Sequence, residues 1–391
     1  LPFEVKTASH LVTEMTTKNS IYSVPLLGDV HYDRPPIDCF HSEFRRKHAC
    51  DGLFDSYQGE FEAFSSMWGE SGQSAALIAA SGKIKRPDAA FAIQLGDLIE
   101  GDCESTQVHS QMLNEALGLM KRTYGDIPFL TLAGNHDVRQ GAHRQGEYES
   151  YRHDICKWHS GELCRAIDDL TFSFRNGEDL WIIADYNRPN VPLIEKLLSQ
   201  DLDARYMVFC THGAVLTNGN RSLRRWFFLG NPQYNAESGK KLSTFELESE
   251  LPAWNAARRR VRELLAKRHA IVLSGHSHLL ELRDWFGDGG RITEFVMNSV
   301  THTAKGKSID GAPVVVGDKP SDFGHCRASA VSTDDASLDA LYAEYEPGIK
   351  RYYTANATGH AELLFSDDEV RANFYALDSL TPCESFVLRK Q

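Results

Sequence analysis

The most constraining feature of the sequence is a short apolar run that recurs five times and each time stops at glycine, aspartate, asparagine or histidine. Run 21–27 leads into Gly28-Asp29-Val30-His31, run 89–95 into Gly96-Asp97, and run 127–133 into Gly134-Asn135-His136-Asp137. Run 206–210 meets Thr211-His212-Gly213, and run 270–273 meets Ser274-Gly275-His276-Ser277-His278. Such runs, bounded by turn residues, read as buried strands that end in functional loops. Between them, 107–124 and 254–269 have helical character. Strands and helices therefore alternate, and a layered α/β fold follows. Ligands of such sheets gather beyond the carboxyl ends of the strands, where all five polar clusters fall.

The remainder of the chain reads as elaboration of one domain spanning 1–391, with the core motifs in 21–301. Runs 171–174 and 180–184 form a hairpin about Arg175-Asn176-Gly177-Glu178. In the C-terminal segment 302–391, runs 361–365 and 370–375 form a second hairpin, expected at the edge of a second sheet. Polar stretches 32–87, 138–169 and 215–252 are too long for structureless loops and read as partly structured insertions over the site. The stretch 299–350 carries no decipherable pattern. Hydrophobic residues at 42% and charged residues at 25% match an ordinary soluble globular protein. No apolar run approaches the roughly 18 residues of a membrane span.

Acidic residues outnumber basic ones by 54 to 42, for a formal charge of -12. That balance opposes a stable complex with nucleic acid. The sequence starts at Leu1, with neither initiator methionine nor leader pattern, which fits either a trimmed chain or the mature form of an exported protein and leans toward the second. The close pairs Cys39 with Cys50 and Cys156 with Cys164 would then be candidate disulfides, whereas Cys210, ending an apolar run, reads as a buried free thiol.

Each polar cluster supplies carboxylate, amide or imidazole groups, a mixture that suits a divalent transition ion. In Asp29-Val30-His31 and His276-Ser277-His278 the i and i+2 side chains of an extended segment would point the same way. The blocks Asp-x-His, Gly-Asp, Gly-Asn-His-Asp, a lone His and Gly-His-x-His occur in order, and the chain over 21–301 resembles the calcineurin-like metallophosphoesterases. The resemblance implies a four-layer α-β-β-α sandwich of two mixed sheets and two divalent or trivalent transition ions, Mn, Fe, Zn or Co. It implies Asp29, His31 and His278 on one ion, Asn135, His212 and His276 on the other, and Asp97 bridging. It further implies hydrolysis of a phosphate monoester or diester by a metal-bridging hydroxide, with His136 as general acid to the leaving group.

Departures from the family's subgroups narrow the substrate. The Asp-Arg-Gly signature of protein phosphatases is absent, since Gly96-Asp97 continues into Leu98-Ile99-Glu100 and the third block ends in Asp137. The iron-bound tyrosine of purple acid phosphatases has no counterpart, because Glu100 holds its position. Glu100 and Asp137 are expected behind the ligands, Glu100 oriented toward His136. A small organic or nucleotide-like ester is the expected partner, with Asn187, Arg188, Arg224 and Arg225 as candidate contacts; the last two adjoin Trp226-Phe227-Phe228. A nuclease and a non-catalytic binding scaffold are the alternatives.

Overall fold

In the computed structural model the described residues are 14–15, 21–34, 40, 66–68, 72–103, 105–140, 146–199, 203–216, 244–301, 314–317, 344–355 and 357–391. In chain order these form β1 (Glu14–Met15), β2 (Tyr22–Leu27), α1 (Ser74–Lys83), β3 (Ala92–Gln94), α2 (Thr106–Tyr124), β4 (Phe129–Thr131) and α3 (Tyr148–Glu162). Then come β5 (Phe172–Asn176), β6 (Asp179–Ile183), α4 (Val191–Ser199), β7 (Met207–Cys210), α5 (Thr244–Lys267), β8 (Ile271–Ser274), β9 (Leu280–Gly287) and β10 (Gly290–Val296). The last strands are β11 (Val314–Gly317), β12 (Ile349–Ala355), β13 (Gly359–Phe365), β14 (Glu369–Ala376) and β15 (Glu384–Lys390).

Two mixed sheets result, ordered β1-β5-β6-β7-β8-β10-β9-β12-β11 and β15-β14-β13-β2-β3-β4. The period of two along the strands makes the layers. On β6, Trp181 and Ile183 enter the core between the sheets, while Leu180 and Ile182 enter a second core outside. Val208 and Cys210 of β7 face inward, and Met207 and Phe209 face outward. The outer core is closed by Ile194 and Leu198 of α4 and Val261 and Leu265 of α5. Burying each such side chain contributes about 1.5–3 kcal/mol. On the other sheet, α1 packs against β2 and β13, and α2 and α3 pack against β4. The expected four-layer α-β-β-α sandwich is what forms.

Several expectations need correction. The C-terminal hairpin is not at an edge: β13 pairs with β2 in the sheet interior, and β15 takes the edge. The stretch 138–169 carries α3, which places Tyr151 and Ile155 in the main core. Cys156 and Cys164 are free thiols. Cys156 is buried on α3 and Cys164 lies exposed beyond its end, and the six helical steps from 156 to 162 already rise about 9 Å, past the reach of about 7 Å for a disulfide. Cys39 and Cys50 lie outside the described residues. Cys210 is a buried free thiol, as expected. No helix among the described residues is long and apolar enough to cross a membrane.

Candidate metal centre

The loops that leave β2, β3 and β4 from one sheet converge on those that leave β7 and β8 from the other. Asp137 staples the loops after β3 and β4, since its carboxylate accepts the backbone N–H groups of Asp97 (2.8 Å), Ile99 (3.1 Å) and Gly134 (2.8 Å). Gly134 must be glycine here: a Cβ would stand 2.1 Å from Asp97 Oδ1. That same oxygen accepts the His136 N–H at 2.7 Å. Asp29 reaches across to the other sheet and accepts the His276 N–H on both oxygens, at 3.0 and 3.1 Å. Asn187 serves the same loops, donating its amide to the Gly134 carbonyl at 2.8 Å.

The backbone route differs from the extended one expected of the two i, i+2 pairs. His31, Asp97, His276 and His278 all take positive φ, at 45°, 54°, 66° and 51°. Ser277 N–H donates back to the Gly275 carbonyl at 2.7 Å, making a γ-turn about His276. Side chains converge through left-handed turns, not along an extended strand. Non-glycine residues in this region cost free energy that the surrounding structure must supply, and such strain clusters at functional sites.

Two groups of donor atoms result, each within 4.8 Å: Asp29, His31 and His278, and Asp97, His212 and His276. In the first, His31 Nε2 lies 3.1 Å from His278 Nε2, and His278 Nε2 lies 3.0 Å from Asp29 Oδ2. In the second, His212 Nε2 lies 3.1 Å from Asp97 Oδ2, 3.2 Å from Asn135 Oδ1 and 3.2 Å from His276 Nδ1. Donors bound to one ion at about 2.0–2.1 Å stand about 3 Å from each other, so this spacing fits a metal. The chemistry fits as well. Asp29 and Asp97 are wholly buried carboxylates, and buried charge requires a compensating partner. A third group, His31, Asp97 and His136, joins the two.

Electrostatics follow from that crowding. Burial disfavours charge on His31 and on His276, and both imidazoles are held well below their usual range. Burial opposes charge on His212 too, but Asp97 and Asp29 reverse it and carry the imidazole up to about 9. Asp97 is likewise desolvated, yet His212 and His136 hold it well below the usual carboxylate range. For Asp137, burial and the Asp97 charge push the acid up to about 8.

Behind the donors sits Glu100, wholly buried. Its Oε2 lies 2.9 Å from His31 Nδ1 and 3.2 Å from His136 Nδ1, so one carboxylate addresses both rings. His136 Nδ1 also lies 3.0 Å from the Glu100 carbonyl and 3.1 Å from Arg139 Nη1. Arg188 lies at the edge of this region, its guanidinium 3.8 Å above the Tyr148 ring and 2.7 Å from Glu149. Arg224 and Arg225 lie outside the described residues.

Three residues that line the site went unread in the sequence. Arg139 meets His136; Tyr186 packs its ring against His212 and His276, with centroids at 5.1 and 5.5 Å; Trp68 holds the His31 carbonyl at 2.8 Å. Tyr186 had a signal, because run 180–184 is a sixth strand that ends in a polar loop. Trp68 had none.

A family model for calcineurin-like phosphoesterases matches residues 23–289. No curated protein sequence matches the chain significantly. Among solved structures, one described as PhoD superposes with a TM-score of 0.51 at 12% identity, over 96% of this chain and 70% of that one. A dimetal phosphatase from Danio rerio gives 0.49 at 11% identity, over 95% and 100% of the two chains. A purple acid phosphatase from yellow lupin (Lupinus luteus) seeds gives 0.48 at 13%, over 94% and 53%. With five ordered motifs, the matched span and the sandwich in agreement, the chain belongs to the calcineurin-like phosphoesterase family.

Proposed function

We propose that the chain hydrolyses a phosphate monoester or diester of a small organic or nucleotide-like compound, using two transition ions. Asp29, His31 and His278 would hold one ion and Asn135, His212 and His276 the other, with Asp97 common to both. The observation that carries this reading is the spacing of about 3 Å between donor atoms within each of two adjoining groups. When bound, such ions supply positive charge to the phosphoryl oxygens and acidify water at neutral pH.

The chain's own residues do the rest. The Glu100 carboxylate stands 2.9 Å from His31 Nδ1 as a charge partner behind the ring, on the side away from the Nε2 atom that faces His278 and Asp29. At His136 Nδ1 the Glu100 carbonyl is an acceptor and Arg139 a donor, and the Glu100 carboxylate lies 3.2 Å from the same atom as a charge partner. The proton for a leaving oxygen would come from His136 Nε2. Asp137 and Asn187 position the loops that carry Asp97, Asn135 and His136.

The test combines elemental analysis with a hydrolysis screen over monoesters, diesters and nucleotides after loading with Mn, Fe, Zn or Co. Up to two equivalents of metal and turnover on at least one ester are expected. Asp97→Asn should weaken both sites at once. Less than about half an equivalent of bound metal after loading would overturn the two-ion reading.

A further inference from the structure

At the far end of the strands from the metal centre lies a cavity of about 930 Å³. Its walls include Met207, which opens β7, and Ile271, which opens β8. The same strands lead to His212 and His276, five residues further on, or about 16 Å of extended chain. The volume is that of a small-molecule site.

The charge of this cavity is at odds with the rest of the molecule. Its charged liners are Arg205, Lys267, Arg268, Arg291, Arg389 and Lys390, and no carboxylate side chain among the described residues lines it. The whole chain carries 54 acids against 42 bases. Neighbouring acids engage some of these cations: Asp179 and Asp367 take Arg205, Asp284 takes Arg291, and Glu263 takes Lys267, all within 2.6–2.7 Å. Basic residues at the C-terminal end of α5 also complement the helix dipole, which accounts for Lys267 and Arg268. Arg389 and Lys390 arrive from β15, with Asp284 acting on the first and Glu369 opposite the second across the sheet.

Arg389 is only 9% exposed. Its guanidinium donates to the His269 carbonyl, and the carboxylate that acts on it, Asp284, is itself paired with Arg291 and Arg351. Burial and the adjacent Arg291 pull it down to about 10. A buried guanidinium that shares one carboxylate with two other arginines is short of negative charge, and an anion in the cavity would complete it. The turn between β9 and β10 contributes no negative charge to the cavity, because Asp288 pairs with Arg262 on α5 at 2.8 Å. What the turn does contribute is Phe286, a large apolar side chain that is 44% exposed.

We propose that this cavity is a second binding site, separate from the metal centre, for a small phosphorylated compound with an aromatic or apolar body. The phosphate is held by Arg389, and the body lies against Phe286. Guanidinium groups match phosphate in a fork of two parallel hydrogen bonds, and clustered cations favour a doubly charged group over a carboxylate. A concave site of this volume suits a small molecule better than a polymer.

The experiment is calorimetric titration of the metal-loaded protein with phenylphosphonate, whose P–C bond is not an ester. Two binding events are expected. Asp97→Asn removes the event at the metal centre and leaves the other. Arg389→Met weakens that remaining event at least about tenfold and leaves ester hydrolysis unchanged. Phe286→Ala weakens phenylphosphonate there but not inorganic phosphate, and benzoate binds more weakly than phenylphosphonate. No event in Asp97→Asn protein, or one that both Arg389→Met and Phe286→Ala leave untouched, overturns the proposal. Should Arg389→Met fail to fold, the exposed Phe286 position still decides, through the difference between the two phosphorus ligands.

Discussion

At the scale of single residues, His136 and Glu100 carry the sharpest test. Glu100 lies within hydrogen-bond distance of the Nδ1 atoms of both His31 and His136, so it couples a candidate ligand to the candidate acid. If His136 protonates the leaving oxygen, its removal must hurt in proportion to how much help that oxygen needs. His136→Ala should keep its metals and lose roughly 10²–10⁴-fold in turnover on an alkyl or sugar ester, the scale of general acid catalysis. With a p-nitrophenyl ester the loss should be markedly smaller; equal losses would assign His136 to positioning. Every donor in the cluster was legible in the sequence, because each falls within five residues of the end of an apolar run. The left-handed turns at His31, Asp97, His276 and His278 were not, since φ is set by the crowding of loops from two sheets. Arg139 was also invisible, its role depending on the fold of the chain after Asp137.

Elements show the same division between what is local and what is not. The strands were readable where they are buried on both faces, and α2 was readable from its amphipathic stripe and its end at Gly125. Its start is fixed by Ser105, whose side chain accepts the Val108 N–H at 3.2 Å. The antiparallel pair β9 and β10 escaped notice because buried charges interrupt it: Glu281, Arg283 and Glu294 are all inside. Arg283 contacts both glutamates, and Glu294 accepts the Val215 and Leu216 N–H groups. α2 also reaches the site through His109, whose Nε2 donates to the Asp137 carbonyl at 2.8 Å. Burial pushes His109 down to about 4. Above about pH 6.5 neither state carries the proton; below it the unfolded chain takes the proton first, so stability is lost between about pH 6.5 and 4. His109→Gln keeps the donor and cannot titrate. Relative to its difference from wild type at pH 7, it should gain about 2–3 kcal/mol at pH 4.5 in urea unfolding. A pH-independent difference would mean that His109 is not held neutral.

For the whole molecule, the two sheets are joined at both ends by polar groups, and the ends differ in what they need. At the site end Asp29, Asp97 and Asn135 come from one sheet and His212, His276 and His278 from the other, so bound ions would tie the layers together. At the opposite end the join is made by protein alone. Asp179 of β6 accepts Tyr22 Oη of β2 at 2.9 Å and takes Arg205 through two bonds of 3.0 and 2.7 Å. Arg205 continues to Asp367, in the turn between β13 and β14, and Trp181 Nε1 donates to Tyr22 Oη at 3.1 Å. Asp179 is wholly buried and the Arg205 side chain is 5% exposed. Removing one partner of such a pair leaves a buried charge without its counterpart, and the exposed Asp367 cannot follow it inward. Asp179→Ala should therefore cost about 3–5 kcal/mol in denaturant unfolding. Because the join and the metal centre sit at opposite ends of the same strands, bound metal per folded chain should be unchanged. A loss of metal in the folded variant would mean that the two ends are coupled through the sheets; a cost below about 1 kcal/mol would mean that water already reaches the pair.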